Sequence, residues 1–419
     1  MKLLKKDIPL IEKVLFLLLI IQFCLIAFCN LTLIESSLDC DNAKMFRHII
    51  EMWRHKTIAV PNWDYVSSLE YDCTSLFALP LYGITQNIYL ACGLSNIILT
   101  GIFIASLFFL FQGKPFLYPL LCANLICVPY GIGMLDYFNM MFFCGSQYII
   151  KVLIPLLLVG IFLSVEKPEQ TKRAKRISLL FIILYISLLL VTSVSSGSYV
   201  ALCGLIPVIL VYFGYKFFKW EKVPRSALII VGISVVCIVV GILLNANLGN
   251  LSSKSTGMRL CPIYSMLANI SGCFFGLFEL FGGAPSTGDV SVLSLQGIIT
   301  VSRIFFVLAL LVCGIMALAK CIRKNGDLRT LLLLSVFVWN YLIMNMVNTR
   351  AGSATYEYRY HLIGAIPLIC VACIVIADGL LTLKSTQQSI LYTGGIFVLL
   401  FLCTTGYMDI FTYGEQNKD

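Results

Sequence analysis

Charge is what this chain lacks most. Only 12% of its 419 residues are Asp, Glu, Lys or Arg, against 59% hydrophobic. A soluble domain carries about 25% charged residues, so a water-soluble globular protein is excluded. Histidine is scarce too, with three in the whole chain, which argues against a His-rich metal site. Strand-like alternation of polar and apolar residues is absent, which argues against a transmembrane barrel. No phosphate-cradling P-loop, no HExxH and no pair of CxxC motifs at zinc spacing occurs. The 17 cysteines lie mostly inside apolar stretches, where the thiol acts as a small hydrophobe. Cys40 and Cys73 share one polar segment and could pair.

What is present is a series of apolar segments about 18–25 residues long, the length that crosses a bilayer as helix. The sequence predicts an all-α polytopic membrane protein as a single transmembrane domain, with about eleven transmembrane helices. They fall near 14–34, 87–111, 115–130, 149–165, 177–194, 199–216, 226–244, 297–319, 329–347, 362–383 and 389–406. The N-terminal basic stretch resembles the start of a secretion signal. Its apolar run is too long and lacks a small-residue cleavage site, so an uncleaved first helix is expected. Alternate connectors, all short, hold 19 of the 30 Lys and Arg, with Lys172, Arg173, Lys175 and Arg176 as the densest group. The positive-inside rule places these in the cytoplasm. An N-terminus inside and a C-terminus outside follow, in a bacterial plasma membrane. The net charge of +9 therefore marks orientation and gives no sign of nucleic acid.

The varied chemistry falls on the other set of connectors. Segment 35–85 alone holds seven of the 21 acidic residues and two of the three histidines. Within it Asp41, Lys44, His48, Glu51 and His55 follow helical spacing. Ala43, Phe46, Ile49, Ile50 and Trp53 occupy the opposite face. This predicts an amphipathic helix on the outer membrane surface, with Asp39 as its N-cap. Two readings of the stripe stand side by side. It is either a solvated helix face, or it carries a general base, Asp39 or Asp41, for an acceptor hydroxyl. The late segment 348–361 brings Arg350, Glu357, Arg359 and His361 among Tyr356, Tyr358 and Tyr360. It is either an interfacial Arg–Tyr belt or a phosphate clamp, since arginine's planar fork matches phosphate oxygens. Asp136 stands alone in an apolar connector, where a charge tends to be paired or functional. Segment 245–296 is expected to cover a cavity, with its apolar stretch MLANISGCFFGLFELFG re-entrant or interfacial. Asp378, inside the tenth span, reads as a helix–helix contact.

One span followed by a long acidic loop with a surface helix resembles the GT-C membrane glycosyltransferases, most of all the protein-mannosyltransferase and aminoarabinose-transferase branch. YEYRYHLIGAIPL is similar to their late loop. The resemblance implies a GT-C-like fold. It implies transfer of a sugar from a polyprenyl-phosphate carrier to a glycan, lipid or protein acceptor on the outer face. Asp39 or Asp41 would act on the acceptor, and Arg359, with Arg350, would hold phosphate. His48, His55, Asp136, Tyr358, Tyr360 and His361 complete the substrate-contacting set. Membrane lipid is a further partner. The chemistry requires no cofactor and leaves a divalent metal open. Two features depart from the pattern: Cys40 separates the acidic pair, and only the short tail Met408–Asp419 follows the last span. The competing readings are a polysaccharide polymerase or O-antigen-ligase-like protein centred on Lys254 and Arg259, a non-enzymatic lipid or glycan transporter, and a scaffold.

Overall fold

A computed structural model describes residues 10–65, 68–131, 136–167, 171–249, 259–284, 290–323, 326–348, 357–383 and 385–416. The chain is an all-α bundle. In order the helices are α1 (Leu10–Thr32), α2 (Cys40–His55), α3 (Thr74–Thr85), α4 (Ile88–Leu110), α5 (Leu117–Ile126), α6 (Tyr137–Met141), α7 (Ile149–Val165) and α8 (Lys172–Ser196). Then come α9 (Ile206–Phe218), α10 (Arg225–Gly249), α11 (Ile263–Leu280), α12 (Leu295–Ile322), α13 (Leu328–Met346), α14 (Leu362–Thr382) and α15 (Ser385–Gln416). A π-helical turn, Ala201–Leu205, leads into α9. The only strands among the described residues are two residues each, β1 (Arg259–Leu260) antiparallel to β2 (Val347–Asn348).

Ten helices among the described residues are long and apolar enough to cross a membrane. They differ from the eleven expected spans at three places. Helix α11 is long enough, in a stretch read as interfacial. The expected span at 115–130 is a ten-residue helix, α5. Helix α7 has seventeen residues and is buried over nearly its whole length. With α14, also buried almost end to end, it forms the centre of the bundle. Both carry an internal proline, Pro155 and Pro367, which packing neighbours tolerate in such helices.

Helix α5 stops because the chain unwinds at Cys127 and runs into Pro129, a residue that disfavours helix just before it. Most of the non-helical backbone that follows is buried. Its carbonyls must find partners inside the protein, and amide and phenol side chains supply them. Asn30 Nδ2 donates to Phe142 O (2.8 Å). Asn96 Nδ2 donates to Cys144 O (2.8 Å) and to Asn30 Oδ1 (2.8 Å). Tyr137 Oη donates to Ile126 O (2.6 Å). Helices α1 and α4 come close enough to build this chain of amides because Gly93 has no side chain: a methyl there would overlap the Asn30 carbonyl.

The bundle has two polar ends. At one, Lys114 pairs with Asp327 (3.3 Å), and Arg329 donates to Leu110 O (3.0 Å) and Gln112 O (3.1 Å). Lys167 also donates to Gln112 O (3.2 Å), and Lys216 pairs with Glu166 (2.6 Å). Asp378 accepts from Tyr118 (2.7 Å) and lies 3.7 Å from Lys320. It thus links α14 to α5 and α12. The other end gathers α2, the chain up to Asp72, the turn at Ser195–Ser196 and the start of α14.

Candidate functional site

Helix α2 begins where Asp39 caps it. Oδ1 accepts from Asn42 N (2.8 Å) and Oδ2 from Asn42 Nδ2 (2.6 Å). Both oxygens of Asp39 are committed to starting the helix, whereas Asp41, in the first turn, has no such task. The helix is present as expected, with Phe46 and Ile49 buried and His55 exposed, but His48 and Glu51 of the charged stripe are buried while Ala43 and Trp53 are exposed. Asp41 and Lys44 are half-buried and His48 is buried under residues 60–65 and 68–72, and Cys40, Ala43, Arg47, Trp53, Arg54 and His55 are the exposed positions. The aromatic residues of the cover explain the difference. Trp63 stacks on His48 at 4.9 Å, and Tyr65 meets it edge-on at 5.1 Å. Tyr65 Oη lies 3.4 Å from His48 Nε2 and 3.1 Å from Tyr71 Oη. His48 is fully buried, and loss of water pushes its pKa down to about 4. His55 stays on the exposed end of the helix, 3.7 Å from Glu51.

Beyond the aromatic cover the chain is pinned to α8. Leu69 N donates to Ser195 O (3.1 Å) and Tyr71 N to Ser195 Oγ (2.9 Å). Asp72, fully buried, accepts from the Ser195 and Ser196 hydroxyls (2.7 Å each) and pairs with Lys151 of α7 (3.1 Å). Glu70 sits between these anchors in the left-handed region, φ 57°. That conformation costs a non-glycine residue about 1–3 kcal/mol, and the anchors on either side hold it. Cys73 is buried with its thiol on Glu70 O (2.9 Å), while Cys40 is exposed; the two are not bonded.

The second wall is the start of α14. Arg359 pairs with Glu357 (2.6 Å) and lies 5.4 Å from the Tyr360 ring centre. Its Nε is buried and has no hydrogen-bond partner among the described residues. Tyr358 Oη donates to Asp136 (2.6 Å), which ties this wall to the segment before α6. Tyr148, Tyr199 and Tyr360 form a mutual edge-on cluster at 6.0–6.4 Å. His361 is buried in the bundle, stacked on Tyr341 at 5.5 Å. Arg350, like Lys254, lies outside the described residues, and nothing is described of the Arg259 side chain.

The two walls come within electrostatic reach of each other at Asp41 and Arg359. Burial raises the Asp41 pKa first, Asp39 raises it further, and the opposing field of Arg359 lowers it; Glu357 and Lys44 also act on it. Burial, then Asp41, lifts the Glu70 carboxyl to about 7, against the pull of Lys44 and Lys151. One polar end thus holds Asp41 within electrostatic reach of both Arg359 and Glu70, with Tyr360 of the tyrosine cluster beside Arg359. Glu70, Asp72 and Lys151 were not singled out by their sequence context. Lys151, one cation in the first turn of an apolar run, was the available signal. Among the described residues no three His, Cys, Asp or Glu side chains are grouped to hold a metal ion.

A separate groove of about 510 Å³ opens between the C-terminal end of α2 and α3, lined by Met52, Trp53, Lys56, Thr57, Ile58, Leu79 and Pro80. By helical rise it begins about 15–20 Å from Asp41, so it is not part of the charged site.

No family model, curated protein or solved structure matches this chain.

Proposed function

We propose that this protein is a membrane glycosyltransferase that moves a sugar from a polyprenyl-phosphate carrier to an acceptor hydroxyl at the outer face. The reading is supported by the electrostatic coupling of Asp41 to Arg359, which brings a carboxylate suited to a hydroxyl proton within reach of a cation suited to phosphate. In this scheme Arg359 neutralises the phosphate as the bond from the sugar's anomeric carbon to phosphate oxygen breaks. Asp41 takes the proton of the acceptor hydroxyl as the new glycosidic bond forms. Polyprenyl phosphate leaves. Asp39 serves by fixing the start of α2, and the tyrosines beside Arg359 offer faces and hydroxyls to a sugar. The excess of Lys and Arg on the opposite connectors supports an outward orientation for this end.

The test is transfer of labelled sugar from polyprenyl-phosphate donors by the purified protein in liposomes. Asp41→Asn and Arg359→Ala are expected to lose about a hundredfold or more in rate. Asp39→Ala is expected to keep transfer and to lose about 1 kcal/mol of stability, the usual cost of a missing cap. Full activity in both Asp41→Asn and Arg359→Ala would remove the assignment.

A further inference from the structure

The groove between the end of α2 and α3 is chemically one-sided. Met52, Trp53, Ile58, Leu79 and Pro80 make its surface apolar. The polar groups around it are already engaged. Thr57 Oγ1 donates to Ala59 O (3.3 Å) and accepts from Ala59 N (3.2 Å). The Met52 and Trp53 carbonyls accept from Thr57 N (3.2 Å) and Lys56 N (3.3 Å), and Ile58 O accepts from Tyr71 Oη (2.7 Å). The exception is the side chain of Lys56, which lines the groove and is exposed. The other basic side chains at this end of α2, Arg47, Arg54 and His55, converge on Glu51. Lys56 has no ion-pair partner among the described residues.

Packing fixes the walls. The Trp53 ring lies against Gly83 of α3, where a Cβ would overlap it; the missing side chain is what lets the indole reach α3. At about 510 Å³ the groove falls within the range of about 300–1,000 Å³ that ligand sites occupy. Its lining selects a ligand with an apolar chain and one negative charge. A sugar would find too few polar partners to be oriented. A stable protein interface engages about 20–30 residues a side, and only seven line this groove. A bilayer supplies the remaining class, a lipid with an anionic headgroup, in large excess over any single site. Even a weak site fills under that condition.

We propose that this groove binds one anionic phospholipid of the surrounding bilayer, with an acyl chain against Trp53, Ile58, Leu79 and Pro80 and the phosphate on Lys56. The inference does not rest on the transferase reading. The lipid chain touches both α2 and α3, so its binding ties the two helices together. Helix α2 carries Asp39 and Asp41 at its other end, and the bound lipid thereby steadies the helix on which the charged site is built. Chain and charge contribute separately: removing the cation weakens the site, and filling the slot closes it.

Photo-crosslinking reads the site directly. The full chain is placed in phosphatidylcholine nanodiscs that contain a small share of phosphatidylglycerol with a diazirine on one acyl chain. Label is expected to concentrate on the groove residues within 52–58 and 79–80, above the even background on lipid-facing helices. Unlabelled phosphatidylglycerol is expected to displace it better than phosphatidylcholine or polyprenyl phosphate. Lys56→Gln is expected to lower the labelling by up to about fivefold, the weight of one exposed ion pair. Ile58→Trp, at an exposed position, is expected to fill the slot and abolish it. In detergent, added phosphatidylglycerol is expected to raise the melting temperature of the wild type and not of Ile58→Trp. Labelling no denser at the groove than on α10 or α12, or unchanged in Ile58→Trp, overturns the inference. Equal displacement by phosphatidylcholine overturns the anionic assignment, and stronger displacement by polyprenyl phosphate gives the groove to a carrier lipid instead. Should Ile58→Trp fail to fold, the competition and the Lys56→Gln loss decide.

Discussion

At the scale of single residues, the site is built by burial more than by contact. His48 illustrates it. Its ring lies between Trp63 and Tyr65, and Nδ1 has no partner among the described residues. The folded protein therefore resists protonating it down to about pH 4, whereas the unfolded chain takes the proton near 6.5. Below 6.5 the unfolded state binds more protons, so stability falls as pH falls, and the loss levels off below about 4. At about 1.4 kcal/mol per pH unit the full loss is about 3 kcal/mol. His48→Gln is expected to flatten this acid limb in thermal unfolding measured from pH 7 to pH 4; an unchanged limb would place the proton uptake elsewhere. Single residues were also where the sequence was least informative. Asp39 announced itself as a cap through its position before CDNAKMF, and Arg359 through its tyrosine neighbours. Glu70 did not, because its left-handed backbone is fixed by neighbours bonded to Ser195, 125 positions later in the chain.

At the scale of elements, the long helices were legible because apolar runs of sufficient length have only one use in a bilayer. Two of the three exceptions share a physical cause. Helix α7 is short and α5 shorter because neither has to face lipid along its whole length, so the bilayer does not dictate their lengths. The charged stripe of α2 followed helical period but not solvent, since period fixes which residues share a face and says nothing of what covers it. The approach of α1 to α4 at Gly93 is a further case that tertiary packing alone decides. Gly93→Ala is expected to push the Asn30 backbone away, weaken the Asn30–Asn96 link and cost about 1–3 kcal/mol. Gly101, on the same helix with open space around it, is expected to accept alanine with no loss. Thermal unfolding of the two variants in one detergent compares them; equal melting temperatures would mean that α1 and α4 yield freely.

At the scale of the whole molecule, one ion pair joins three distant parts. Lys151 on the central helix α7 meets Asp72 from the first long segment and, through it, Ser195 and Ser196 at the end of α8. Lys151→Met leaves a buried carboxylate without its cation and is expected to cost about 3–5 kcal/mol. Adding Asp72→Asn should recover much of that loss, and a double variant no more stable than Lys151→Met would show that the lysine acts alone. The unwound segment after α5 has a different kind of consequence. Its carbonyls at Phe142 and Cys144 are satisfied by Asn30 and Asn96, on helices synthesised earlier. In hydrocarbon each unsatisfied carbonyl is costly, so this segment cannot be inserted as an independent hairpin. It has to dock onto α1 and α4 after they are in place. Chain order already supplies that sequence of events during synthesis, and a permuted gene that made residues 117–148 first would deliver them to a membrane with nothing to receive them.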